Sequence, residues 1–149
     1  MKKRWLLFLL FAGGNSVGLA QQLPALGDQY TEHMQLRDTA MGLMGFGDTY
    51  YPAKTISIHN VLFWIGIGKE TGKVRYIWTK DPAFTLQGQK VIQRKLSEFK
   101  NKGEVKLYGG FSHYLPLDSG WYAAFRFDEI NDSSKVLAVF KFDFQGYRY

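Results

Sequence analysis

The 149-residue chain contains no cysteine, so a disulfide framework, a thiol nucleophile and a thiolate metal site are all excluded. Proline is scarce as well, with four residues in all, and no internal repeat or low-complexity tract is present. The apolar run near the start covers only residues 5–12, whereas a membrane-spanning helix needs about 20 mostly apolar residues. A chain with these absences must rely on a hydrophobic core for its stability.

The first twenty residues have the layout of a bacterial secretory signal peptide. Basic residues 2–4 precede the apolar run, and the small residues Gly18 and Ala20 stand where the −3 and −1 positions of a cut after Ala20 would fall. No cysteine follows the run, so we expect no lipid anchor. The sequence therefore predicts that residues 1–20 are removed and that the protein is periplasmic or secreted.

The net charge is mild once this segment is set aside. The formal value of +6 includes the three basic residues at the start, which leaves +3 for residues 21–149. A balance this mild does not point to nucleic acid, and an exported location makes nucleic acid a less suitable partner still. The remaining 129 residues suit a single domain with no membrane span.

Aromatic residues are abundant after residue 20, and they favour pleated, half-buried surfaces. Strand-like patterns occur in six segments: 54–59, 61–67, 73–79, 104–108, 121–128 and 136–144. Residues 69–72, with the sequence Lys-Glu-Thr-Gly, form a natural hairpin loop between the second and third of these segments. The patterns predict antiparallel hairpins.

Two further segments have the spacing of amphipathic helices. In residues 28–44, Asp28 is a suitable N-cap for an apolar stripe, and in residues 82–102, Pro82 suits the first helical position before a stop at Gly103. The two stripes are Tyr30, Met34, Met41 and Met44 in the first helix, and Val91, Ile92, Leu96 and Phe99 in the second. The sequence thus predicts an α+β domain in which an antiparallel sheet of five or six strands packs with two helices.

The segment 109–120 carries the densest chemistry and is predicted to be a long loop. Ser112, His113 and Asp118 offer the hydroxyl, imidazole and carboxylate that a small hydrolase would use. However, adjacent residues such as Ser112 and His113 point to opposite sides of an extended chain, and no Gly-x-Ser-x-Gly elbow is present. The hydrolase therefore ranks as an alternative only.

A recognition role suits the same segment better. Phe111, Tyr114 and Trp121 would act as aromatic anchors among small residues, with Ser112, His113 and Asp118 as polar contacts beside them. Tyr50 and Tyr51 form a second aromatic pair between the first predicted helix and the first strand. These eight residues are the predicted partner-binding candidates.

The sequence shows no pattern that is typical of a metal or cofactor site. The three histidines, His33, His59 and His113, lie far apart, and none has a partner at the four-residue spacing of a helical zinc pair. The glycines near Gly45 and Gly47 do not match a phosphate-binding fingerprint. We therefore expect no metal and no cofactor.

These observations favour a small exported binding protein that is not an enzyme. The concrete hypothesis is an inhibitor or immunity-type protein that contacts a protein partner in the envelope, such as an envelope-acting enzyme. Two alternatives stay open. One is a periplasmic carrier of a small molecule or lipid, and the other is the small hydrolase with Ser112, His113 and Asp118.

Overall fold

A computed structural model describes residues 22–44, 50–99, 103–108 and 112–142, and within these ranges it describes the backbone alone at 39–44, 50–52 and 108. The described ranges contain ten β-strands, three short 3-10 turns and no α-helix. The strands are β1 (Arg37–Met44), β2 (Tyr50–Ile58), β3 (Val61–Ile67), β4 (Val74–Thr79), β5 (Thr85–Leu86), β6 (Gln89–Lys90), β7 (Lys106–Tyr108), β8 (Ser112–Pro116), β9 (Trp121–Phe125) and β10 (Ala138–Phe142).

Eight of these strands form one antiparallel sheet in the order β1-β2-β3-β4-β10-β9-β8-β7. The sheet consists of two meanders, β1 to β4 and β7 to β10, in which each strand pairs with its neighbour in sequence. The last strand, β10, lies between β4 and β9 and joins the two meanders. Strands β5 and β6 form a separate two-stranded hairpin.

The hairpin of β3 and β4 shows how the sequence produces this sheet. Gly68 donates a backbone hydrogen bond of 2.8 Å to the carbonyl of Lys73, and Gly72 donates another of 2.8 Å to the carbonyl of Gly68. Gly72 has a φ of +64°, a left-handed conformation that glycine adopts at little cost. The predicted hairpin with its turn at residues 69–72 is therefore confirmed.

One face of the sheet, which we call the inner face, carries the hydrophobic core. Alternation along each strand places Phe63, Ile65, Ile77, Val139 and Phe125 on this face, and all five are buried. The segments between the strands cover them with further buried residues, which are Phe84, Val91, Ile92, Phe99 and Val136. The inner face is thus closed by the described chain itself.

The predicted helix over residues 28–44 is wrong. The chain makes a single 3-10 turn at Glu32–Met34, and Gln35 then adopts a left-handed φ of 51°, which ends any helical course. Beyond it, Arg37–Met44 pairs with β2 as an edge strand. The stripe of tyrosine and methionine residues was a coincidence of spacing, because pairing with β2 outweighed a weak helical preference.

The predicted helix over residues 82–102 is wrong as well. Gln87 and Gly88 have φ values of 51° and 76°, so they form a tight turn between β5 and β6 instead of helix. Among the described residues of this segment, 82–99, only Leu96–Phe99 is helical, as one 3-10 turn. The apolar residues of this segment do enter the core, as expected of them, but from irregular chain and not from one helical face.

The α+β assignment must therefore be replaced by a mostly β architecture. An antiparallel sheet is present, but it has eight strands instead of five or six, and no pair of helices packs on it in the described ranges. The two supposed helices supply an edge strand and an irregular cover for the inner face.

Candidate functional site

The predicted hydrolase residues do not converge in the structure. Ser112 is buried at the start of β8, and its hydroxyl donates a hydrogen bond to the carbonyl of Phe125 on β9. His113 follows on the opposite face of the strand, with its Nδ1 atom 3.1 Å from the carbonyl oxygen of Arg126. Asp118 lies in a separate 3-10 turn after the strand. The arrangement gives no support to a nucleophile, base and orienter acting together.

The segment 109–120 was predicted to be a long loop, and this part of the prediction is wrong, because Ser112–Pro116 is a strand. Ser112–Pro116 pairs with both β7 and β9 inside the sheet. Tyr114 is buried, and its ring centroid is 5.8 Å from that of Phe140 in an edge-on arrangement. The two glycines and the proline suggested turns, but the alternating residues between them pair as a strand. Phe111 lies outside the described residues.

Trp121 is a core residue of the inner face and is only 5% exposed. Its ring centroid is 5.0 Å from that of Phe84 and 6.3 Å from that of Phe63, while the Lys141 Nζ atom is 5.2 Å from the ring. A partner could not reach this side chain without opening the core. Tyr50 and Tyr51 begin β2, and the description of these two residues stops at their backbone.

The opposite face, which we call the outer face, carries a layer of aromatic side chains. Trp64 stacks on Trp78 with 4.6 Å between ring centroids, and Trp78 stacks on Phe140 with 5.7 Å between centroids and an interplanar angle of 11°. Tyr76 extends the layer, with its ring 5.4 Å from Phe140 and 5.7 Å from Phe142. These rings lie outside the core cluster of the inner face.

The rings of the outer face shield one another from solvent, and this shielding changes the surroundings of their polar atoms. Burial, followed by the neighbouring Tyr114 phenol, raises the pKa of the Tyr76 hydroxyl above its ordinary value of 10.0. Burial also raises the pKa of Tyr114. The buried indole N–H of Trp78 has no hydrogen-bond partner among the described residues. The rings therefore bury polar atoms of their neighbours, although the rings themselves stay partly exposed.

A polar cleft of about 360 Å³ adjoins the aromatic layer at the β1 side. Its lining residues are Gln35, Arg37, Thr55, Ile56, Ser57 and Leu62. Arg37 and Ser57 are exposed, and the Arg37 guanidinium has no ion pair among the described residues. The cleft combines a guanidinium with two hydroxyl groups, and one of its lining residues, Thr55, lies opposite Trp64 in the register.

Lys54 belongs to the inner face and does not add to this cleft. Its Nζ atom is 2.6 Å from Asp38 and 4.9 Å from the centre of the Tyr30 ring. The hydrogen bond with Asp38 is the main reason that the pKa of Lys54 is raised. This ion pair is structural, at the edge of the sheet.

The described part of the chain shows neither a group of metal ligands nor a helix that could span a membrane. That part holds no group of three or more histidine, aspartate or glutamate side chains placed to bind a metal ion. Nor does it include a helix with the length and hydropathy needed to cross a membrane.

The outer-face layer was missed as a site from sequence, although a signal for it exists. Trp64, Tyr76, Trp78, Phe140 and Phe142 all stand at even positions, so alternation alone places them together once the strands pair. The alternating pattern places them in strands but does not rank one face above the other. Comparison of the chain with protein-family models, with curated proteins and with solved structures found no match.

Proposed function

We propose that this protein is a small exported binding protein without catalytic activity, and that it contacts its partner through the outer face of the sheet. The observation that carries the proposal is the partly exposed stack of Trp64, Trp78 and Phe140, whose first ring lies opposite Thr55 of the polar cleft. Aromatic side chains and arginine are the residues that most often dominate the energy of protein interfaces.

The two faces of the sheet differ in a way that supports this assignment. Segments between the strands cover the inner face. Their buried hydrophobic residues belong to the core cluster of that face, and the stacked rings are not part of this cluster. Leu62, at the edge of the cleft, is 38% exposed. An exposed apolar residue beside an arginine that has no ion pair in the described part of the chain is typical of a binding surface.

The concrete form of the proposal is an inhibitor or immunity-type protein that acts on an envelope enzyme. An exported location, expected from residues 1–20, supports a partner in the envelope. A rigid sheet suits such a role because binding then costs little ordering entropy. The described residues line an open, polar cleft, so nothing specific favours a lipid carrier.

Site-specific photo-crosslinking in the native host tests the proposal. A photoreactive amino acid replaces Ser57 on the outer face, and the control carries it at Thr85, an exposed position in the hairpin that flanks the inner face. We expect one discrete adduct from position 57 and none from position 85. The crosslinked protein is then purified, and its enzymatic activity is measured with and without this chain.

A matched pair of substitutions completes the test. Thr55→Glu places a charge and extra volume in the cleft, whereas Thr85→Glu makes the same change elsewhere. We expect at least a tenfold loss of partner binding for the first and none for the second, with equal melting temperatures. Equal adducts from both positions, or turnover of a substrate by this chain alone, would contradict the proposal.

A further inference from the structure

One row of directly opposed residues crosses the outer face. The register pairs Arg37 with Thr55, Thr55 with Trp64, Trp64 with Trp78, and Trp78 with Phe140. Opposed residues on neighbouring antiparallel strands share a face and lie side by side. Three successive positions of the row are rings that stack on one another. The rings of this row end before Thr55 on β2. The next residue of the row, Arg37 on β1, is a cation.

Thr55 therefore leaves a notch between Trp64 and Arg37. Neighbouring strands lie about 4.8 Å apart, so β1 and β3 are separated by roughly twice that distance across β2. The stack of Trp64 on Trp78, at 4.6 Å, shows that rings in this row repeat at the strand spacing. A flat ring above Thr55 would lie at the same spacing from Trp64, against the face of Trp64 that Trp78 does not cover.

The surroundings of the notch are positively charged. Arg37 has no ion pair among the described residues, and the Lys80 Nζ atom is 5.9 Å from the centre of the Trp64 ring. Asp81 follows β4, and its carboxylate accepts hydrogen bonds from the backbone N–H groups of Leu62 and Ala83. Arg37 on β1 and Lys80 after β4 thus flank Trp64 on two sides. A guanidinium also stacks well on flat rings and binds carboxylates through paired hydrogen bonds.

We propose that this notch binds a flat aromatic ring that carries a carboxylate. The ring stacks on Trp64 above Thr55, and the carboxylate pairs with Arg37, while Ser57 offers its hydroxyl to the same group. The proposal deepens the proposed function and rests on it where the ring belongs to a protein partner, as an aromatic residue with a carboxylate beside it. A free aromatic acid has the same chemistry and is the other possible source.

Three small probes separate the ring from the charge. N-acetyltryptophan carries both, N-acetyltryptophanamide carries the ring alone, and N-acetylalanine carries the carboxylate alone. The chain is expressed from Met1 and purified, and each probe is titrated while the indole N–H signal of Trp64 is followed by NMR. We expect N-acetyltryptophan to bind at least fivefold more tightly than the amide, and N-acetylalanine to leave the signal unmoved. Equal binding of the acid and the amide would overturn the proposal.

Substitutions in the row locate the binding. Thr55→Trp supplies the missing ring from the protein itself and should abolish binding of N-acetyltryptophan, whereas Thr55→Ser should retain it. Arg37→Gln should remove the advantage of the acid over the amide and leave weak ring binding. If Thr55→Trp keeps the melting temperature and still binds the probe as the unmodified chain does, the notch is not the site.

The crosslinking experiment distinguishes failure of this inference from failure of the proposed function. If the probes do not bind but position 57 still yields its adduct, the notch proposal is wrong and the binding function stands. If N-acetyltryptophan binds at the notch and no adduct forms, the ligand is a free aromatic acid and the protein-binding function is wrong. If both succeed, a peptide that contains the partner's aromatic residue and carboxylate should compete with N-acetyltryptophan.

Discussion

The two faces of this sheet are built from the same strands, yet they bury their side chains in different ways. The inner face is mainly aliphatic and is covered by segments from elsewhere in the chain, so Ile65, Ile77 and Val139 are fully buried. The outer face is aromatic, and its rings shield one another along cross-strand rows. Side chains that other segments of the chain cover stabilise the fold. Rings that shield only one another keep their edges available for contact with a partner.

The largest expected effect is at the centre of the inner face. Phe125 is 1% exposed, so Phe125→Ala should lower the free energy of unfolding by about 3–5 kcal/mol. Phe127, two residues further along the chain, is 58% exposed and serves as the control. Its replacement by alanine should change the free energy by less than about 0.5 kcal/mol. Urea denaturation measures both, and similar losses would erase the contrast between core and surface.

A matched pair of tryptophan substitutions compares the two faces directly. Trp121→Phe should leave a void in the inner core. Trp78→Phe keeps a ring between Trp64 and Phe140 and removes a buried N–H that has no hydrogen-bond partner among the described residues. We expect the inner-face change to cost at least about 1 kcal/mol more than the outer-face change. Thermal melts of the two variants provide the measurement, and the reverse order would show that the outer face is the better-packed layer.

Alkaline pH should weaken the outer face selectively. Because burial raises the pKa of Tyr76 in the folded protein, its hydroxyl stays protonated there at pH values at which the unfolded chain ionises. The contribution of this burial is fully present below pH 10 and is lost as the pH rises further, by roughly 1.4 kcal/mol per pH unit. The difference in unfolding free energy between the unmodified chain and Tyr76→Phe should be flat from pH 7 to 9 and shift by about 1.4 kcal/mol by pH 11. Parallel curves up to pH 11 would count against the raised pKa.

The smallest effect is expected for the ion pair at the sheet edge. The Asp38 side chain is 90% exposed, so solvent screens its attraction to Lys54. Asp38→Asn should therefore lower the free energy of unfolding by less than about 0.5 kcal/mol, and added salt should reduce the difference further. A loss comparable to that of a core substitution would mean that this edge is far better shielded than its exposure indicates.

The sequence predicted the strands well wherever alternation was local. The hairpin of β3 and β4 needed only its own residues and a glycine turn, and both could be read directly. The β1 strand could not be recognised because its stability comes from β2, a partner that the local pattern does not reveal. In the segment 82–102, the decisive feature was the left-handed pair Gln87 and Gly88, and a glutamine gives no warning of such a backbone.

The candidate site was harder to predict than the fold, for a related reason. Ser112, His113 and Asp118 attracted attention because reactive groups were close in sequence, but a strand separates its neighbours onto opposite faces. Arg37, Thr55 and Trp64 were overlooked because they lie on three different strands. They meet only through the register of β1 on β2 and of β2 on β3. Such a site can be recognised only when residues are compared across paired strands, and not when they are compared along the sequence.

The position of β10 also determines when the fold can be completed. Val139 of β10 pairs with Thr79 of β4, about 60 residues earlier in the chain, and its other side pairs with β9. Until this last strand has emerged, the two meanders have no common edge, and the backbone groups of β4 and β9 that it will occupy are unpaired. Late assembly of this kind is compatible with transport of an unfolded chain across a membrane, which the signal peptide predicted at residues 1–20 would require. The eight-stranded sheet can be completed only once residues 138–142 lie between β4 and β9.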